Sequence, residues 1–109
     1  MAVEPREVAL LFALAVRDED GYADYRAGMR PILAAHGGRF GLDVRIAEVL
    51  EGSLGTSMNR MFTIVFPSED AQQRFFSDTD YRSIRARWFD PSVETVVALG
   101  TVQARATDS

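Results

Sequence analysis

The sequence has no cysteine and no lysine. Without cysteine there is no thiol nucleophile, no disulfide and no sulfur-ligated metal, and the redox compartment is left open. All twelve cations are arginines. That excludes a Schiff-base lysine and the lysine of a phosphate-binding loop. There is one histidine, His36. One imidazole without thiolates builds no zinc site, and no carboxylates stand at calcium-loop spacing. We expect no metal and no cofactor. Long apolar runs are also missing: the longest, Val8 to Val16, has nine residues, against the ~20 that a membrane span needs. Glu4 and Glu7 precede it and acids follow it, unlike a secretory leader. A cytoplasmic protein without a membrane partner is expected. The net charge of −4 and the scattered arginines argue against a nucleic-acid surface. There is no serine elbow and no glycine-rich dinucleotide fingerprint.

What is present is enough apolar material for one ordinary domain: 47% of 109 residues are hydrophobic. The boundaries read as a lead-in over 1–7, a single domain over 8–100 and a polar tail over 101–109. Met61 to Phe66 is rich in β-branched and aromatic residues and is closed by Pro67-Ser68. It reads as a strand that is apolar on both faces, hence central. Val8 to Val16 is a second such strand, with Val8, Leu10, Phe12, Leu14 and Val16 on a bulky face. Ala9, Leu11, Ala13 and Ala15 form a small one.

Asp18 caps a helix carrying Tyr22, Tyr25, Met29, Ile32, Leu33 and His36 as one stripe, which Pro31 interrupts and Gly37-Gly38 ends. Arg39 to Val44 begins a further strand, and a slip of its apolar phase predicts a bulge near Ala47 and Glu48. Ser68 and Asp78 cap two more helical stretches, the second stopped by Pro91. Val93 to Leu99 is the last strand.

The order strand, helix, strand, strand, helix, strand gives a four-stranded antiparallel sheet with both helices on one face. This is the ferredoxin-like α+β sandwich. Two helices leave the other apolar face bare, which a soluble monomer avoids. We expect a homodimer whose sheets pack face to face as a dimeric α/β barrel.

Five fragments occur in one order: Tyr22-Ala23-Asp24-Tyr25-Arg26, His36-Gly37-Gly38-Arg39-Phe40, Val49-Leu50-Glu51-Gly52, Arg60-Met61 with Phe66-Pro67-Ser68, and Tyr81-Arg82-Ser83-Ile84. Together they resemble the family called domain of unknown function 1330, within the dimeric α/β-barrel superfamily. The resemblance implies the ferredoxin-like fold and a dimer, and little chemistry. The wider superfamily includes cofactor-free monooxygenases, lactone isomerases, polyketide cyclases and haem proteins, between which a fold cannot choose.

Candidate site residues follow. His36 is the only side chain that titrates near neutrality without perturbation. At the end of its helix it could be a base or donor in a helix–sheet cleft, or simply a cap. Arg39 could hold a carboxylate in a fork, or pair with Glu51 or another acid as a structural link. Glu51 could be a general base, or a solvated turn residue. Tyr25 is the tyrosine best placed to point a hydroxyl into a cleft, while Tyr22 reads as core. Arg60 and Tyr81 are weaker candidates. Trp88 with Phe89 would line a pocket or close the apolar end of a helix. The leading expectation is a dimer that binds a small organic molecule, with anions among the candidates, through Tyr25, His36 and Arg39. An alternative is a cofactor-independent monooxygenase or isomerase that uses His36 or Glu51 as base. Another is a structural or regulatory dimer with no ligand.

Overall fold

Strand parity and helix caps account for the architecture. The computed structural model describes residues 7–52, 55 and 57–102. β1 (Val8–Val16), β2 (Arg39–Arg45), β3 (Arg60–Phe66) and β4 (Val93–Val102) form one antiparallel sheet in the order β2-β3-β1-β4. The two strands that are apolar on both faces, β1 and β3, are the central pair, as predicted. The lead-in residues 1–6, residues 53, 54 and 56 of the loop before β3, and 103–109 of the tail lie outside the described residues.

α1 (Glu19–Ala35) begins at Asp18, whose carboxylate accepts the Gly21 N–H at 3.1 Å. It runs unbroken through Pro31, whose missing N–H removes the usual intrahelical donor to the carbonyl of the exposed Ala27. It ends in a Schellman motif: Gly38 N–H donates to the Leu33 carbonyl and Gly37 N–H to that of Ala34, both at 2.9 Å. Gly37 has φ of 77°, which only glycine adopts cheaply. α2 (Glu69–Ser77) and α3 (Thr79–Ile84) start where Ser68 and Asp78 accept backbone N–H groups.

Pro91 does not stop α3. The chain widens into a π-helical turn, Arg85–Phe89, closed by Asp90 N–H on the Arg85 carbonyl. It then makes a short α4 (Asp90–Ser92) that contains Pro91 near its start. The proline sits where its missing N–H is not needed. β4 continues past the expected Leu99 to Val102, which pairs with Ala9.

The helices cover one face. Leu14, Val16, Phe62, Ile64 and Phe66 of the sheet pack there against Tyr22, Tyr25, Met29, Leu33, Phe75 and Tyr81. The expected bulge near Ala47 is instead at Gly41 and Leu42, between the pairs Phe40↔Ile64 and Asp43↔Phe62. A side chain at Gly41 would stand 2.5 Å from Thr63 Oγ1, and that same oxygen accepts the Leu42 N–H at 2.7 Å. The threonine hydroxyl takes over a ladder bond, and the phase slip brings Asp43 round to the helix face.

On the opposite face Ala13 and Ala15 are covered by Met58, Ile46 and Val49 of the same chain. Asn59 pins this segment: its side chain pairs with both backbone groups of Val16 at 2.9 Å. Leu42 (50% exposed) and Val44 (39%) remain open on the edge strand.

Candidate functional site

A half-open aromatic cavity of about 210 Å³ lies between the sheet and the helices. Its floor is Phe12 of β1, Phe62 and Ile64 of β3, and Val96 and Ala98 of β4. The rings of Phe12 and Phe62 stack at 5.4 Å. Its roof is Tyr25 of α1, Phe76 of α2, Tyr81 of α3, and Arg85 and Phe89 of the π-turn. Tyr25, Phe62, Ile64, Tyr81 and Phe89 are buried and Phe12 and Phe76 partly so; the exposed lining residues Val96 and Ala98, with the partly open Arg85, mark the mouth.

Two polar features stand in this apolar wall. The hydroxyls of Tyr25 and Tyr81 hydrogen-bond at 2.9 Å. Burial, reinforced by the neighbouring Tyr81 hydroxyl, pushes the Tyr25 phenol far above its ordinary value. Tyr25 therefore stays protonated. The pair holds two protons and its mutual bond uses one, so the other is free for an acceptor on a ligand. The second feature is Arg85, the only charged side chain in the lining among the described residues. Its guanidinium lies 4.9 Å from the centre of the Phe89 ring, and Asp90 is 3.9 Å away, beyond hydrogen-bond reach. Among the described residues, no carboxylate or imidazole lines the cavity.

The structure separates the residues singled out in the sequence. Tyr25 is in the cavity, and so are Tyr81 and Phe89. His36, Arg39 and Glu51 do not line it. His36 Nε2 meets Asp78 Oδ2 at 2.9 Å, with its ring edge-on to Phe75. This ties the end of α1 to the cap of α3, and the hydrogen bond from His36 holds the Asp78 carboxyl below its ordinary range. Arg39 pairs with Glu7 at 3.1 Å, and both are exposed. Glu51 is exposed. Trp88 is half-buried against the core.

Sequence reading passed over Arg26. It is buried, with its guanidinium 3.6 Å from the centre of Phe40. It donates to Tyr22 Oη at 3.2 Å and to Asp43 Oδ2 at 2.8 Å. Arg60 forks onto both oxygens of Asp43 at 3.2 Å. These bonds lock α1 to the β2 edge beneath an open groove of about 550 Å³. The available signal was the spacing of Arg26, one turn after Tyr22 on the buried stripe.

Burial raises the Asp43 carboxyl, but Arg60 and Arg26 outweigh it and hold the group below its ordinary 3.8. A depressed carboxyl contributes stability at pH above its unfolded value and loses it as pH falls through the folded value. Asp43→Asn should therefore destabilise at about pH 7, with the gap to the parent narrowing as pH drops below 3.8. Urea unfolding of both proteins across that range measures it. A gap of constant size would show that the ion pairs do not stabilise the fold through the charge on Asp43.

The sheet order, the helices on one face and the cap geometry define a ferredoxin-like α+β protein. The chain belongs to the family Domain of unknown function (DUF1330), which matches residues 9–101. No curated protein matches it. Among solved structures it is similar to a protein of unknown function from Rhodopseudomonas palustris, with 17% identity and a TM-score of 0.78, covering 94% of this chain and 85% of that one. It is similar to SnoaB, a cofactor-independent oxygenase from Streptomyces nogalater, with 15% identity, a TM-score of 0.64 and coverage of 94% and 97%. It is also similar to a dimeric ferredoxin-like protein of unknown function from Thermobifida fusca, with 15% identity, a TM-score of 0.57 and coverage of 91% and 92%. At such identities the likeness is one of fold.

Proposed function

We propose that this protein is a homodimer that binds a small organic molecule, about one aromatic ring in size, in the helix–sheet cavity of each subunit. The observation that carries the reading is the cavity itself: an aromatic chamber with one spare phenolic proton in its lining and, at its mouth, a guanidinium whose nearest acid, Asp90, stands 3.9 Å away. A cavity of about 150 Å³ holds benzene, so 210 Å³ suits one ring with a short substituent. Dimerisation is supported by the apolar face that the helices leave open and by the fold shared with the dimeric Thermobifida fusca protein. A stable pairing there would bury on the order of 1,200–2,000 Å².

A cofactor-independent oxygenase or isomerase is the second reading. The Tyr25–Tyr81 proton donor favours it, and so does the fold shared with SnoaB. Because the described lining offers no carboxylate or imidazole as base, this reading calls for a substrate already acidic enough to ionise. Of Tyr25, His36 and Arg39, the expected ligand contacts, Tyr25 is the one this reading keeps.

The test is calorimetric titration with a panel of single-ring aromatic compounds. Members of the panel should bind the parent chain, and Ala98→Phe, which fills the mouth, should abolish binding while leaving the unfolding midpoint close to that of the parent. Compounds that bind both proteins equally would sink the cavity as the site. Oxygen uptake in the presence of a bound compound then separates enzyme from binder.

A further inference from the structure

Arg85 borders more than the cavity. Phe76, Tyr81 and Arg85 also line a second recess of about 300 Å³, completed by Arg82, Ala86 and Asp90. The apolar chamber therefore adjoins a more polar vestibule, and Arg85 borders both. The vestibule carries two arginines against one acid, a net excess of positive charge.

The backbone is built to hold Arg85 there. In a regular α-helix, at 100° per residue, the eight steps from Tyr81 to Phe89 would rotate Phe89 about 80° away from Tyr81. The π-turn over Arg85–Phe89 takes more residues per revolution. It brings Tyr81, Arg85 and Phe89 back onto one stripe, and all three line the chamber. Such turns are costly and recur at functional sites. Stacking on Phe89 orients the guanidinium. Asp90 at 3.9 Å does not occupy its donors. The Arg85 side chain is 43% exposed, so its fork is open to a carboxylate arriving at the mouth.

We propose that the cavity selects an aryl carboxylate, with the ring in the aromatic chamber and the carboxylate in a bidentate pair with Arg85. This rests on the cavity being the binding site. A neutral amide of the same shape offers Arg85 one uncharged carbonyl acceptor, so the carboxylate gains the charge-assisted fork and the amide does not.

The experiment compares 3-phenylpropionate with 3-phenylpropionamide by calorimetry, on the parent chain and on Arg85→Met, which keeps an apolar stem. The carboxylate should bind the parent about tenfold more tightly than the amide, and Arg85→Met should bring the two to equal affinity. Equal affinities in the parent, or a preference that survives in Arg85→Met, would overturn the proposal and leave the cavity as the site. If neither probe binds the parent, the proposal and the cavity reading fall together.

Discussion

Replacing Phe75 by alanine is expected to lower the unfolding free energy by about 3–5 kcal/mol. The ring is fully buried. It packs against Tyr81 at 4.2 Å, Phe76 at 5.1 Å and Phe66 at 5.5 Å between ring centres. Two of these neighbours, Phe76 and Tyr81, form part of the cavity roof, so the hole left by the ring lies directly behind the site. For a domain whose whole stability is about 5–15 kcal/mol, the loss is a large fraction of the total. Chemical denaturation of the parent and the variant measures it. A loss under about 1 kcal/mol would mean that α2 and α3 hold to the sheet without this ring.

Leu11→Asp should break the proposed dimer while sparing the subunit. Leu11 sits in β1 between Thr63 and Gly100 of its neighbours. It shares parity with Ala9 and Ala13, on the face away from the helices, and is half-buried in the single chain. An aspartate there stays wetted in a monomer, but two would be forced out of water in a face-to-face pair. The dimer dissociation constant should rise about a hundredfold or more, while the far-ultraviolet circular dichroism stays that of the parent. Sedimentation equilibrium reads the effect. An unchanged association constant would place any pairing elsewhere, since no dimer packed on this face could tolerate the charge.

The fold was legible because its determinants are local. Asp18, Ser68 and Asp78 cap helices within three residues of themselves, Gly37-Gly38 close α1, and strand parity follows from a period of two. Where long-range contacts decide, sequence reading misplaced or missed the feature. The bulge depends on Thr63 reaching Leu42 from the next strand, and the π-turn has no periodic signature. His36 was isolated in sequence as the lone imidazole, yet its partner Asp78 is 42 residues away. That distance hid the difference between a base in a cleft and a tether between two helix ends.

The cavity was half legible. Tyr25, Tyr81 and Phe89 were all noticed as apolar or hydroxyl-bearing helix residues. Only the tertiary arrangement brings Phe12, Phe62 and Arg85 to them, because no spacing along the chain encodes which residues of three strands and four helical segments share one chamber. The bare face also came out less bare than parity implied. Met58, Ile46 and Val49 fold back over Ala13 and Ala15, so a partner would meet the remainder of the sheet together with this strap.

The most direct measurement of all is a crystal structure of the chain grown with 3-phenylpropionate. The ring is expected among Phe12, Tyr25 and Phe62, with its carboxylate within hydrogen-bond reach of the Arg85 guanidinium. A chamber empty at saturating probe, or a probe seated instead in the groove above Arg26, Asp43 and Arg60, would contradict the assignment of the site.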